Sequence, residues 1–155
     1  VSLVFFSICI LISESSDYSP LLIQEYAKST RYLGHLDDPD AQRHQGNSIC
    51  GDDITVYLRI DDGLISDYRF DGNTSMVTHA SASFVGDLII GSSIDQVLMW
   101  TEQIMLDNEF VVSKRRRRAS VIAILSCRNA IHQYRADGMC DTFDDLLDGY
   151  PTYSP

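Results

Sequence analysis

The sequence predicts an α+β fold, a small antiparallel β-sheet packed on one side by helices, and three patterns carry that expectation. Residues 54–60 (ITVYLRI) place Ile54, Val56, Leu58 and Ile60 on one face, the period-2 alternation of a half-buried strand. Asp61-Asp62-Gly63 then supplies a tight turn, and residues 64–70 (LISDYRF) return as a second strand, completing a β-hairpin. Further on, Ile94, Val97, Leu98, Thr101, Ile104 and Met105 recur at the helical period, as do Val121, Ile124, Cys127, Ile131 and Tyr134. A chain of 155 residues fits one domain and is long enough to bury a core without disulfide staples.

The remaining elements follow in order. Residues 1–12 (VSLVFFSICILI) are apolar but too short to span a bilayer, and no basic residue precedes them as a signal sequence would require. Ser19-Pro20 opens a short helix carrying Leu21, Leu22, Ile23, Tyr26 and Ala27, with proline in the first turn where a missing N–H costs nothing. Residues 29–48 are polar, contain the loop LDDPDA, and read as irregular structure. After Phe70 a loop gives way to a helix of small residues over 78–88, which can pack closely in the core. Ser93 to Gln96 reads as a capping box that opens the helix through Met105. The last long helix covers 119–135, and Phe143, Leu146 and Leu147 suggest one further helical turn that Gly149 would end.

Charge narrows the function classes. With 22 acidic and 12 basic side chains the net charge is −10, and no nucleic-acid partner is expected, because a basic surface supplies most of that affinity. Five of the cations stand together as Lys114, Arg115, Arg116, Arg117 and Arg118. Such a run is a solvated loop or a patch for an acidic partner, phosphate or RNA. The four cysteines, Cys9, Cys50, Cys127 and Cys140, form no close ligand pair, and composition favours a reducing compartment, so a cytoplasmic location is expected. No membrane association is expected unless residues 1–12 act as an anchor.

Several segments together resemble the iron–sulfur cluster assembly scaffold family that comprises the NifU N-terminal domain, IscU and SufU. Tyr18 to Ala41 (YSPLLIQEYAKSTRYLGHLDDPDA) is similar to the family's first helix and the loop before its first cysteine. Cys50-Gly51-Asp52 matches the C-G-D motif placed just before the hairpin. Phe70-x-Gly72 and Thr78-x-Ala80-Ser81-x-Ser83 resemble the stretch F-x-G-x-G-C-x-x-S-x-A-S-x-S, and Arg116-x-x-Ala119 resembles the closing R-x-x-C. The resemblance implies a scaffold domain over residues 18–136, flanked by the apolar extension 1–17 and an acidic tail 137–155.

It also implies a function. The family receives sulfur from a cysteine desulfurase, holds a transient iron–sulfur cluster or a zinc ion, and passes clusters to apoprotein acceptors, in some cases with a chaperone; it acts as a scaffold and not as an enzyme. Carried over residue by residue, Cys50, Asp52 and Ser75 would form the cluster-binding set, with Cys50 and Asp52 as metal ligands. This sequence departs from the family at two of its three cysteines: the second falls on Ser75, with Thr74 before it, and the third on Ala119. Some relatives carry a histidine just before the third cysteine, where this chain has Arg118. Clusters are held mainly by thiolates and zinc by three or four N, S or O donors, so Cys50 and Asp52 make a reduced set to which Ser75 adds a poor ligand.

Sulfur acceptance asks less, since one exposed thiolate suffices. His79 and His44 are candidates to complete a rebuilt site with Cys50 and Asp52. Cys127 lies on an apolar helix stripe as a small hydrophobe, Cys140 is a spare thiol, and Trp100 and Met105 are packing residues. The alternative reading is a paralogue that keeps the fold and binds the assembly machinery without carrying metal.

Overall fold

The computed structural model describes residues 20–49 and 51–147. Residues 1–12, Cys9, Cys50 and Gly149 lie outside the described residues. The elements are α1 (Pro20–Lys28), β1 (Ala41–Asn47), β2 (Asp52–Asp61), β3 (Leu64–Asp71), α2 (Met76–Ile89), α3 (Ile94–Leu98), α4 (Glu102–Asp107), a 3₁₀ turn (Lys114–Arg116), α5 (Arg117–Arg135) and α6 (Phe143–Leu146).

The expected hairpin is the centre of the sheet. β2 and β3 pair antiparallel around Asp62-Gly63, both with positive φ, and Ile54, Val56 and Leu58 are fully buried on one face. The sheet has three strands in the order β1-β2-β3. β1 corrects the expectation of irregular structure over 29–48. Its sequence, AQRHQGN, buries only Ala41 and Asn47, yet the strand pairs with β2 from Ala41 opposite Leu58 to Asn47 opposite Asp52. An edge strand is held by backbone hydrogen bonds and needs no apolar alternation, which is why composition hid it. The Ser126 hydroxyl donates to the Arg43 carbonyl (2.7 Å) and ties the strand to α5.

Helices cover one face of this sheet, with α5 against β1 and β2 and α2 packed between α1 and α5. The small residues of α2 behave as expected: Ala80, Ser81, Ala82 and Ser83 are buried, and a Cβ on Gly86 would stand 2.2 Å from the Tyr32 ring. α5 differs from the single apolar stripe predicted. Every residue from Ala119 to Cys127 is buried, so its first half is enclosed all round, Ser120 and Ser126 included, whereas Tyr134 at the end of the predicted stripe is exposed.

The helix expected from Ile94 to Met105 is two helices. Ser93 forms the predicted capping box with Gln96, but Thr101 is extended and its side chain accepts from Gln103 N–H, so it caps α4 instead of continuing α3. Met105 is buried and Trp100 packs against the core, as expected. No helix among the described residues is long and apolar enough to cross a membrane.

Candidate functional site

The site is assembled where β1, β2 and α2 meet. Asn47, the last residue of β1, directs the chain through the segment that carries Cys50: its carbonyl accepts from Gly51 N–H (2.8 Å) and its side-chain Oδ1 from Ile49 N–H (3.2 Å). Ile49 and Gly51 are exposed, and Gly51 has φ +72°. Asp52 then begins β2 and turns inward.

Across from it, Gly72 lets the chain leave β3 close over β2. Its φ is +137°, and a Cβ there would come within 2.4 Å of the Asp53 carbonyl. Asp53 N–H donates to the Asn73 carbonyl (3.0 Å), which holds the connection to α2 in place. Ser75 is the N-cap of α2, its Oγ accepting from Thr78 N–H at 3.4 Å. This brings Ser75 and Thr78 onto the Asp52 carboxylate. Oδ1 accepts from Ser75 N–H (2.7 Å), and Oδ2 accepts from the hydroxyls of Ser75 (3.0 Å) and Thr78 (2.7 Å). Asp52 is only 6% exposed, so these donors take the place of solvent at the N-terminus of a 14-residue helix, where negative charge is favoured.

The other candidates fall as follows. Ala119 is completely buried at the start of α5, and its carbonyl accepts from Ser81 Oγ (2.8 Å). His79 Nε2 sits 2.7 Å from the Ser29 carbonyl, and its ring meets Phe70 edge-on. His44 is exposed on β1 with Nε2 3.7 Å from Asp53 Oδ1. Among the described residues no group of three His, Cys, Asp or Glu side chains is close enough to hold a metal ion. Cys127 is buried, and burial pushes its thiol well up, so it is unreactive. Cys140 is exposed, with Sγ 3.6 Å from Arg43 Nη2.

The basic run is neither an open loop nor a uniform patch. Lys114 to Arg116 form the 3₁₀ turn, Arg117 makes a two-point ion pair with Glu102 (2.7 and 2.5 Å), and the Arg118 guanidinium stacks 4.8 Å over Phe143.

One polar cluster has no counterpart in the sequence reading. His132, nearly buried on α5, meets Asp137 through Nδ1 (2.7 Å) and Asp141 through Nε2 (3.0 Å). Arg128, one turn earlier, donates to the same Asp141 oxygen (2.8 Å) and to the Trp100 carbonyl. The i, i+4 spacing of Arg128 and His132 is the only signal in the sequence, because their partners come after a chain reversal at Ala136 and Gly138, both with positive φ.

A three-stranded antiparallel sheet with helices on one face, and a C-G-D segment entering its central strand opposite the start of a helix, match the fold that the resemblance to iron–sulfur cluster scaffolds implies. The chain belongs to the NifU-like N terminal domain family, which matches residues 17–141. It is 36% identical over 81 residues to the iron–sulfur cluster assembly scaffold protein IscU of Thermotoga maritima, covering 52% of this chain and 57% of that protein. It is 30% identical over 77 residues to the zinc-dependent sulfurtransferase SufU of Bacillus subtilis, covering 50% of this chain and 52% of that one. The matches thus span about half the length of these two relatives. The crystal structure of the N-terminal NifU-like protein from Brucella abortus shares the fold, with a TM-score of 0.66 at 21% identity over 79% of this chain and 97% of that one.

Proposed function

We propose that this chain serves iron–sulfur cluster assembly as a sulfur-accepting member of the family, with Cys50 as the acceptor. The Cys50 thiolate attacks the outer sulfur of a persulfide on a cysteine desulfurase; the donor's S–S bond breaks, a persulfide forms on Cys50, and the desulfurase cysteine leaves as thiolate. Apoprotein acceptors and a chaperone would be the later partners. The chain acts here as a stoichiometric carrier and not as a catalyst.

The observation that carries this reading is the anchoring of the segment on either side of Cys50. Asn47 fixes residues 49 and 51, and Asp52 is held by Ser75 and Thr78. Exposed neighbours anchored on either side, Ile49 and Gly51, suit a cysteine that exchanges sulfur between proteins.

The test is to incubate the protein with a cysteine desulfurase and cysteine, block thiols, and map the added sulfur by mass spectrometry. Sulfur is expected on Cys50 and absent from the Cys50→Ser variant. Sulfur found only on Cys140, or nowhere, sinks the reading.

A further inference from the structure

We infer that Ser75 and Thr78 have closed the metal position of this fold, making Asp52 the anchor of α2 instead of a ligand, so that one protomer holds neither a divalent metal ion nor a cluster. The inference deepens the proposed function and rests on the family reading of the Cys50-Gly51-Asp52 segment.

The donor set argues it position by position. A zinc site needs three or four donors and a cluster needs mainly thiolates. Asp52 has both carboxylate oxygens engaged, and one of its donors is the backbone N–H of the α2 N-cap. A metal claiming this carboxylate would compete with those three contacts at a nearly buried group, where most of its roughly four acceptor positions are already taken. Ser75 Oγ is engaged too, accepting from Thr78 N–H while it donates to Asp52, and an alcohol gives up its proton far less readily than a thiol.

Position 119 offers a methyl group, fully buried, and no donor side chain. His79 is turned to the Ser29 carbonyl. His44 and Asp53 approach each other, but Asp53 follows Asp52 in β2 and so points to the opposite face of the sheet. Beyond these positions the motif offers only the Cys50 thiol, and one thiolate does not make a site.

Ser75 is the decisive substitution. Cysteine there would be a weak hydrogen-bond donor and acceptor, loosening the cap and supplying a soft ligand in the same change.

The test is zinc uptake by the wild type, Ser75→Cys and Ser75→Cys/Ala119→Cys proteins, measured by competition with a chromophoric chelator and by melting temperature with and without zinc. Losing even an outer partner of a metal site costs about 10–100-fold in affinity. The double variant is therefore expected to bind one zinc at least ~100-fold more tightly than the wild type, and only its melting temperature should rise with zinc. Wild-type affinity equal to that of the double variant would overturn the inference. So would a double variant that is folded by circular dichroism yet gains nothing.

If Ala119→Cys is too large for its site, Ser75→Cys supplies the comparison: with Cys50 and Asp52 it offers three donors and is expected to bind zinc more tightly than the wild type, and equal affinity of the two overturns the inference. Persulfide mapping on Cys50 is unaffected by the zinc result, so the two readings fail separately.

Discussion

Replacing Asp52 by Ala removes one acceptor and leaves the Ser75 N–H, the Ser75 hydroxyl and the Thr78 hydroxyl without their partner. The Ser75 cap on Thr78 N–H remains, so the loss of hydrogen bonds to a nearly buried charged group should cost about 2–3 kcal/mol, read as a lower denaturation midpoint with unchanged slope in urea. A carboxylate kept free for metal would behave in the opposite way, since removing a buried unpaired charge relieves the fold. The motif resemblance proposes Asp52 and Ser75 as site positions. What the sequence does not carry is their contact, because it joins residues 23 apart through the close passage of Gly72 over Asp53.

At the scale of elements, the long helix α5 organises its surroundings through polar side chains at its C-terminal end. His132 and Arg128 hold the segment that carries Asp137 and Asp141, and Asn129 reinforces it by accepting from Asp141 N–H (2.7 Å) and donating to its carbonyl (3.1 Å). His132→Phe keeps an aromatic ring but loses both contacts to carboxylates. Arg128 and Asn129 still hold Asp141, so the variant should loosen the turn around Asp137, seen as faster proteolysis there while the far-ultraviolet circular dichroism of the core is retained. The sheet tells a related story. Residues 54–70 announce their strands through alternation, whereas β1 has no such signal, since its partners are the backbone of β2 and the Ser126 hydroxyl. Thr101 breaks the apolar repeat of 94–105 because a local cap competes successfully with one continuous helix.

For the whole molecule, pH should act from both ends. Tyr26 and Tyr32 both donate to the Asp87 carboxylate (2.6 Å each), clamping α1 and the segment after it to α2. Burial, then the hydrogen bond to Asp87, pushes each tyrosine from 10 up to about 12. Burial works to raise Asp87 itself, but the two tyrosine hydroxyls and the Arg31 charge outweigh it, and its carboxyl is held below the ordinary value. Asp137 is held down first by the His132 hydrogen bond, and Asp145 first by Thr142 N–H.

The depressed carboxylates stabilise the fold above their unfolded value of about 4 and lose that contribution as pH falls through the folded values. The raised tyrosines contribute fully below 10, and their contribution is lost as pH rises toward about 12. The melting temperature is therefore expected to fall on both sides, and Tyr26→Phe/Tyr32→Phe should flatten the alkaline branch. An unchanged alkaline branch in that variant would show that the clamp carries none of it.

The sequence by itself determines the architecture and the family, because strand alternation, helical period and ordered motifs are local properties that survive the loss of individual ligands. Its resemblance to the family also sets Ser75 and Ala119 at positions expected to carry thiols. Only the tertiary structure decides what the surviving carboxylate does. The role of Asp52 depends on which hydroxyls and backbone N–H groups the packing of α2 against β2 brings within hydrogen-bonding distance, and that geometry is fixed by contacts between residues far apart in the chain.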